Sequence, residues 1–133
     1  MIGSVRPGSG QAIQVGARAA FWALLAFIVF ATFSPVNLRP QTGHVIFERF
    51  GAFLALGGTL ALSYPRRPFL ALAAICAIAV GSEALQLVIP SRDARPIDGL
   101  EKTLGGLAGV ALGCLLDKAI LASRRNSLPP ATL

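Results

Sequence analysis

Residues 69–89 read FLALAAICAIAVGSEALQLVI, an unbroken apolar run with one charged residue, Glu83. At a helical rise of about 1.5 Å per residue, such a run covers roughly 30 Å, the thickness of the hydrocarbon core of a bilayer. It is bounded by YPRRP at 64–68 and by Pro90. Proline at both ends stops a helix from continuing. The stretch reads as a transmembrane helix. A single span of this kind needs partners for Glu83, so the rest of the chain is read for further spans.

Three more runs of similar length appear. One lies at 17–34, interrupted by Arg18, with Trp22 suited to an interfacial anchor. Its length would suit a cleaved signal peptide, but Ala31-Thr32-Phe33 ends in a bulky residue where cleavage needs a small one. The second lies at 44–64 and the fourth at 98–121, where Asp98 and Glu101 have the spacing of a capping box. The expected fold is all-α: a polytopic membrane protein with a four-helix membrane domain over 17–122. Residues 1–16 and 123–133 are expected as disordered tails.

Composition agrees. Hydrophobic residues make up 54% of the 133 positions and charged residues 14%, well below the quarter or so of charged residues usual in soluble domains. The net charge of +6 comes from 12 Lys+Arg against 6 Asp+Glu. The basic residues flank apolar runs and form no aromatic-interleaved stripe, which argues for membrane orientation and against nucleic acid. Cys76 and Cys114 lie inside apolar runs without metal-ligand spacing, and are read as free thiols acting as small hydrophobes. No metal cluster, P-loop or nucleophile elbow is seen, and no cofactor is expected.

Four spans place both termini on one side. That side carries Arg6, Arg18, Arg66, Arg67, Lys118, Arg124 and Arg125; the other carries Arg39, Arg49, Arg92, Arg95 and Lys102. The excess of positive charge predicts cytoplasmic termini.

In this arrangement Glu48, Arg49, Glu83, Gln86 and Lys102 share a depth near the opposite end of the bundle, with Arg92, Arg95 and Asp98 just above. Intramembrane charge is costly, so such residues face the bundle interior and find partners. Glu83 is expected within salt-bridge reach of Arg49, Lys102, Arg92 or Arg95, with Gln86 lining the same pocket. Small residues form stripes beneath: Gly51, Ala52, Ala55 and Thr59 below Glu48, Cys76 and Ala79 below Glu83, and Gly105, Gly106, Gly109 and Gly113 below Lys102. Gly105, Gly109 and Gly113 make two consecutive GxxxG steps, suited to close helix contact within the chain or to a homodimer seam. Val110 is expected on another face. The bland alternatives are an interior ion pair for Glu83 and Lys102, a helix cap for Asp98, phosphate contact at the membrane surface for Arg92 and Arg95, and an inert interfacial His44.

The segments GHVIFERFGAFLALGGTLALSYPRR (43–67) and SEALQLVIPSRDARPIDGLEKTLGGLAG (82–109) together resemble the VanZ-like family. Glu48, Phe50, Phe53, Glu83, Gln86, Pro90, Arg92, Asp98, Gly105 and Gly109 fit that family's pattern, over about residues 34–115. Members commonly carry His where this chain has Arg49, and a guanidinium cannot act as a base. The resemblance implies a protein of the bacterial inner membrane with a cell-envelope setting, linked by the family's name to glycopeptide (teicoplanin) resistance. It implies no reaction.

Three functions follow. The first is binding of a membrane lipid, such as an envelope lipid precursor, by its glycan or phosphate headgroup in the polar pocket. The second is an accessory or scaffold subunit that binds another membrane protein. The third is an intramembrane hydrolase or transferase, with Glu83 as base and Lys102 or Arg92 stabilising developing charge.

Overall fold

The computed structural model describes residues 8–34, 43–88 and 96–127. Among these residues there are four helices: α1 (Ser9–Phe33), α2 (Val45–Ser63), α3 (Pro68–Val88) and α4 (Pro96–Asn126). Each is long and apolar enough to cross a membrane. The expected all-helical, four-span architecture is observed. The expectations for residues 1–7, 35–42, 89–95 and 128–133 fall outside the described residues.

The helix ends follow from local chemistry. Ser34 precedes Pro35 and takes the extended conformation that a following proline favours, while its N–H still bonds to the Phe30 carbonyl at 2.8 Å. Between α2 and α3, Arg67 N–H donates to the Tyr64 carbonyl at 3.0 Å. Pro65 follows Tyr64 in this turn, where its fixed φ suits the second position. Pro68 and Pro96 each occupy the first position of a helix, where a missing N–H costs nothing.

Two boundaries differ from expectation. α1 begins at Ser9, so the second half of the expected N-terminal tail is helical. Extending an existing helix adds one hydrogen bond per residue, and no proline interrupts residues 8–16. The polar stretch therefore continues the span without an apolar signal of its own. α4 likewise runs to Asn126, past the expected end, with Arg124 and Arg125 in its last turn, where cations suit the helix dipole. Its start at Pro96 puts Asp98 inside the first turn, so the expected capping role is corrected.

The tightest contact is between α2 and α4. Gly105 faces Phe50, Gly109 faces Leu54 and Gly113 faces Gly58, so the two helices run parallel in register. A Cβ added to Gly105 would stand 2.5 Å from the Phe50 carbonyl oxygen, and one added to Gly109 would overlap the Leu54 carbonyl oxygen. Only glycine lets the backbones approach this closely, the geometry that small residues supply in membranes. The glycine row is thus a seam within the chain, filled by α2. On α3, Ile75 seats against Gly106 and is fully buried.

Around this seam the core gathers Phe21 of α1, Phe53, Leu56 and Leu60 of α2, Ala71, Ile75 and Ala79 of α3, and Val110 of α4. The expected stripe on α2 is corrected: Gly51 is exposed, and Ala52, Ala55 and Thr59 are half-buried. The buried side instead carries Phe53, Leu56, Gly57, Leu60 and Ala61. Val110 is also corrected, since it is 2% exposed and sits in the core. Outside the core, Phe27, Phe30, Phe47, Phe69, Leu87 and Leu115 all project outward. Such a surface is a liability in water and the expected solvent face in lipid. The hydroxyls of Thr32, Thr59, Ser63, Ser82 and Thr103 each donate to a carbonyl of the preceding turn, as groups without water must.

Candidate functional site

The end of the bundle away from the chain termini is formed by the start of α2, the end of α3 and the start of α4. Two ion pairs knit these together. Lys102 of α4 donates to Glu83 Oε1 of α3, and also to Ser82 Oγ at 3.2 Å. Arg49 of α2 meets Asp98 of α4, Nη1 to Oδ2, at 2.5 Å.

Lys102 is the more deeply placed of the two cations, with a side chain 5% exposed against 28% for Arg49. It sits one turn before Gly105 and Gly106, where the close approach of α2 and α4 leaves no space for a bulky neighbour. Its stem therefore runs towards α3. Glu83 meets it there because Gly99, three residues before Lys102 on the same face, has no side chain: a Cβ at Gly99 would stand 3.1 Å from Glu83 Cγ. Ser82 completes the contact. Its own hydroxyl proton goes to the Ala79 carbonyl at 2.7 Å, which leaves the oxygen free to accept from Lys102.

Arg49 reaches Asp98 along the α2/α4 seam. Phe50 lies level with Gly105, so Asp98 stands about 9 Å nearer the helix starts than Arg49. Helical side chains point back towards the N-terminus, and the guanidinium spans that gap. Asp98 is the acidic residue in the first turn of α4, where negative charge suits the helix dipole.

Of the residues selected from the sequence, Glu83, Lys102, Arg49 and Asp98 therefore come together as two pairs. Gln86 is buried on α3, one turn beyond Glu83. Glu48 does not join them: it is exposed on the first turn of α2. Arg92 and Arg95 lie outside the described residues. His44 precedes α2, is exposed, and sets its ring edge-on to Phe47 with centroids 6.2 Å apart. The sequence reading missed Ser82 and Gly99. Ser82 adjoins Glu83, and Gly99 precedes Lys102 by one turn, so their spacing carried the signal.

Two carboxylate oxygens stand out. Glu83 Oε2 and Glu101 Oε2 are buried and accept no hydrogen bond from the described residues. Unsatisfied acceptors of this kind are uncommon in native structures. The described residues at this end carry Glu48, Glu83, Asp98 and Glu101 against Arg49 and Lys102. Beside these charges, a lateral cavity of about 210 Å³ opens between α1 and α3, lined by Leu25, Ile28, Thr32, Phe33, Ile78 and Ser82 among others. It exceeds the roughly 150 Å³ of apolar cavity that accepts a benzene-sized guest. Ser82 belongs to both the cavity wall and the ion-pair cluster. Among the described residues, no group of three or more His, Cys, Asp or Glu side chains is placed to hold a metal ion.

Four apolar spans, a lipid-facing apolar surface and buried charge confined to the bundle interior define a multi-pass helical membrane protein. No family model, curated protein or solved structure matches the chain.

Proposed function

We propose that this protein binds the polar headgroup of a membrane lipid or lipid-linked glycan at the end of the bundle away from its termini. The observation that carries the reading is Glu83. Its carboxylate is held inside a membrane bundle by Lys102 on one oxygen, while the other has no donor among the described residues. A purely structural pair is best served by satisfying both oxygens, because unmet buried acceptors cost about 1–3 kcal/mol each. A headgroup bearing hydroxyl or amine donors would supply what is missing. The cavity between α1 and α3 would take the start of an acyl chain, with Ser82 at the junction.

In this reading the termini are cytoplasmic and the pocket faces the outside of a bacterial inner membrane. The resemblance to the VanZ-like family favours an envelope lipid precursor as ligand and an effect on glycopeptide susceptibility. It rests on the motif residues Glu48, Phe50, Phe53, Glu83, Gln86, Pro90, Arg92, Asp98, Gly105 and Gly109.

Native mass spectrometry of the gently extracted protein tests the proposal. A lipid adduct present in the unaltered chain and absent from a folded Glu83→Gln variant supports it. An adduct-free protein, or an adduct that Glu83→Gln retains in full, overturns it.

A further inference from the structure

The end of the bundle that carries the termini has an excess of cations. Among the described residues it holds Arg18, Arg66, Arg67, Lys118, Arg124 and Arg125 against Asp117. Arg18 is occupied, its guanidinium lying 4.9 Å above the centroid of the Tyr64 ring. The three cations of α4 are not. Lys118, Arg124 and Arg125 make no ion pair among the described residues.

α4 has 31 residues, or about 46 Å of helix, against a hydrocarbon core of about 30 Å. Its last turns therefore leave the apolar zone at this end. Lys118, Leu121, Ala122 and Arg125 follow the spacing of one helix face. Together with Arg124 they line an open cleft of about 520 Å³. Arg124 also reaches towards α1: a Cβ at Gly10 would stand 3.2 Å from its Nη1. The first turn of α1 has no acidic residue to neutralise it. Asp117 continues the strip of Gly109 and Gly113 and does not line the cleft.

The cleft thus combines three cations that have no counter-charge among the described residues with an apolar floor of Leu121 and Ala122. A free anion would satisfy the charges and leave the floor wet. An apolar chain would cover the floor and leave the charges unmatched. We infer that the cleft binds an anionic phospholipid. The phosphate oxygens meet Arg124, Arg125 and Lys118, and the first acyl carbons lie on Leu121 and Ala122. Guanidinium groups suit phosphate through paired, charge-assisted hydrogen bonds. This site is independent of the one at Glu83 and Lys102, which lies at the other end of the bundle.

The test uses the full chain in a neutral detergent. Its thermal midpoint is followed by circular dichroism during titration with dioctanoyl phosphatidylglycerol, dioctanoyl phosphatidylcholine or inorganic phosphate. Phosphatidylglycerol raises the midpoint saturably, and added salt weakens the effect as the screening length shortens. Lys118→Gln and Arg125→Gln each lower the apparent affinity about fivefold, the equivalent of ~1 kcal/mol for a basic residue near an anionic surface. The triple variant K118Q/R124Q/R125Q loses the shift. The double variant Glu83→Leu/Lys102→Leu keeps it, which separates this site from the other. Equal shifts from the two lipids, or unchanged affinity in the variants, overturn the inference. A full shift from inorganic phosphate alone also overturns it, by leaving an anion site with no need of lipid. Lys118 and Arg125 are exposed, so the single variants remain informative if the triple variant does not fold.

Discussion

Lys102 of α4 donates a hydrogen bond to Glu83 of α3, 19 residues away in sequence, and the two close the polar end of the bundle. With its side chain 5% exposed, Lys102 depends on this partner for most of its compensation. Removing one member of a buried pair strands the other charge, at a cost of about 3–5 kcal/mol. Glu83→Gln and Lys102→Met should therefore both lower the thermal midpoint in detergent, by calorimetry or circular dichroism. A change within error for both would show that the pair does not bear on the fold.

The α2/α4 seam makes a second prediction. At Gly109 any Cβ overlaps the backbone of Leu54, so Gly109→Ala should destabilise as well as Gly109→Leu. Overpacking in a dense core costs about 1–3 kcal/mol, and a clash with backbone belongs at or above the top of that range. Ala108, exposed one position away, is the matched control, and Ala108→Leu should be near neutral. Comparable unfolding midpoints for Gly109→Leu and Ala108→Leu would remove the seam from the account.

Arg49 and Asp98 offer a charge-swap experiment. Arg49→Asp or Asp98→Arg alone sets like charges together across α2 and α4. The double swap restores attraction, and a double-mutant cycle should return a coupling of about 0.5–3 kcal/mol. Zero coupling would mean that the two side chains act independently.

Topology is accessible to cysteine labelling in a background with Cys76 and Cys114 replaced by alanine. With the termini in the cytoplasm, Ser9→Cys and Arg67→Cys should react with an impermeant reagent only after lysis, and Ser91→Cys should react in intact cells. The reverse pattern would place the Glu83 pocket on the cytoplasmic face.

Much of this was legible in the sequence because the bilayer constrains so few variables. Run length alone marked the spans. Matching depth along the helices put Glu83 near Arg49 and Lys102, and the GxxxG spacing marked Gly105, Gly109 and Gly113. Rotation about the helix axis was harder to read. α2 is apolar nearly all round, so its small residues Gly51 and Ala52 looked like the contact face. The core instead needs the volume of Phe53, Leu56 and Leu60, and turns that side inward. Val110 was misplaced for the same reason. Depth matching also could not say which cation Glu83 would take. That choice rests on Gly99, whose missing side chain opens the path to Lys102 and leaves Arg49 to Asp98. The helical start of α1 had no apolar signal to read.

The central claim is that the polar end binds a ligand and that Glu83 and Lys102 do more than hold helices together. Replacing a buried ion pair with apolar residues of similar size is often neutral or stabilising. The double variant Glu83→Leu/Lys102→Leu therefore separates fold from function. Its thermal midpoint and its retained lipid, by native mass spectrometry, should be measured on one preparation. The account predicts a midpoint close to that of the unaltered chain together with loss of the lipid adduct. A folded double variant that keeps the same adduct at the same occupancy would contradict it.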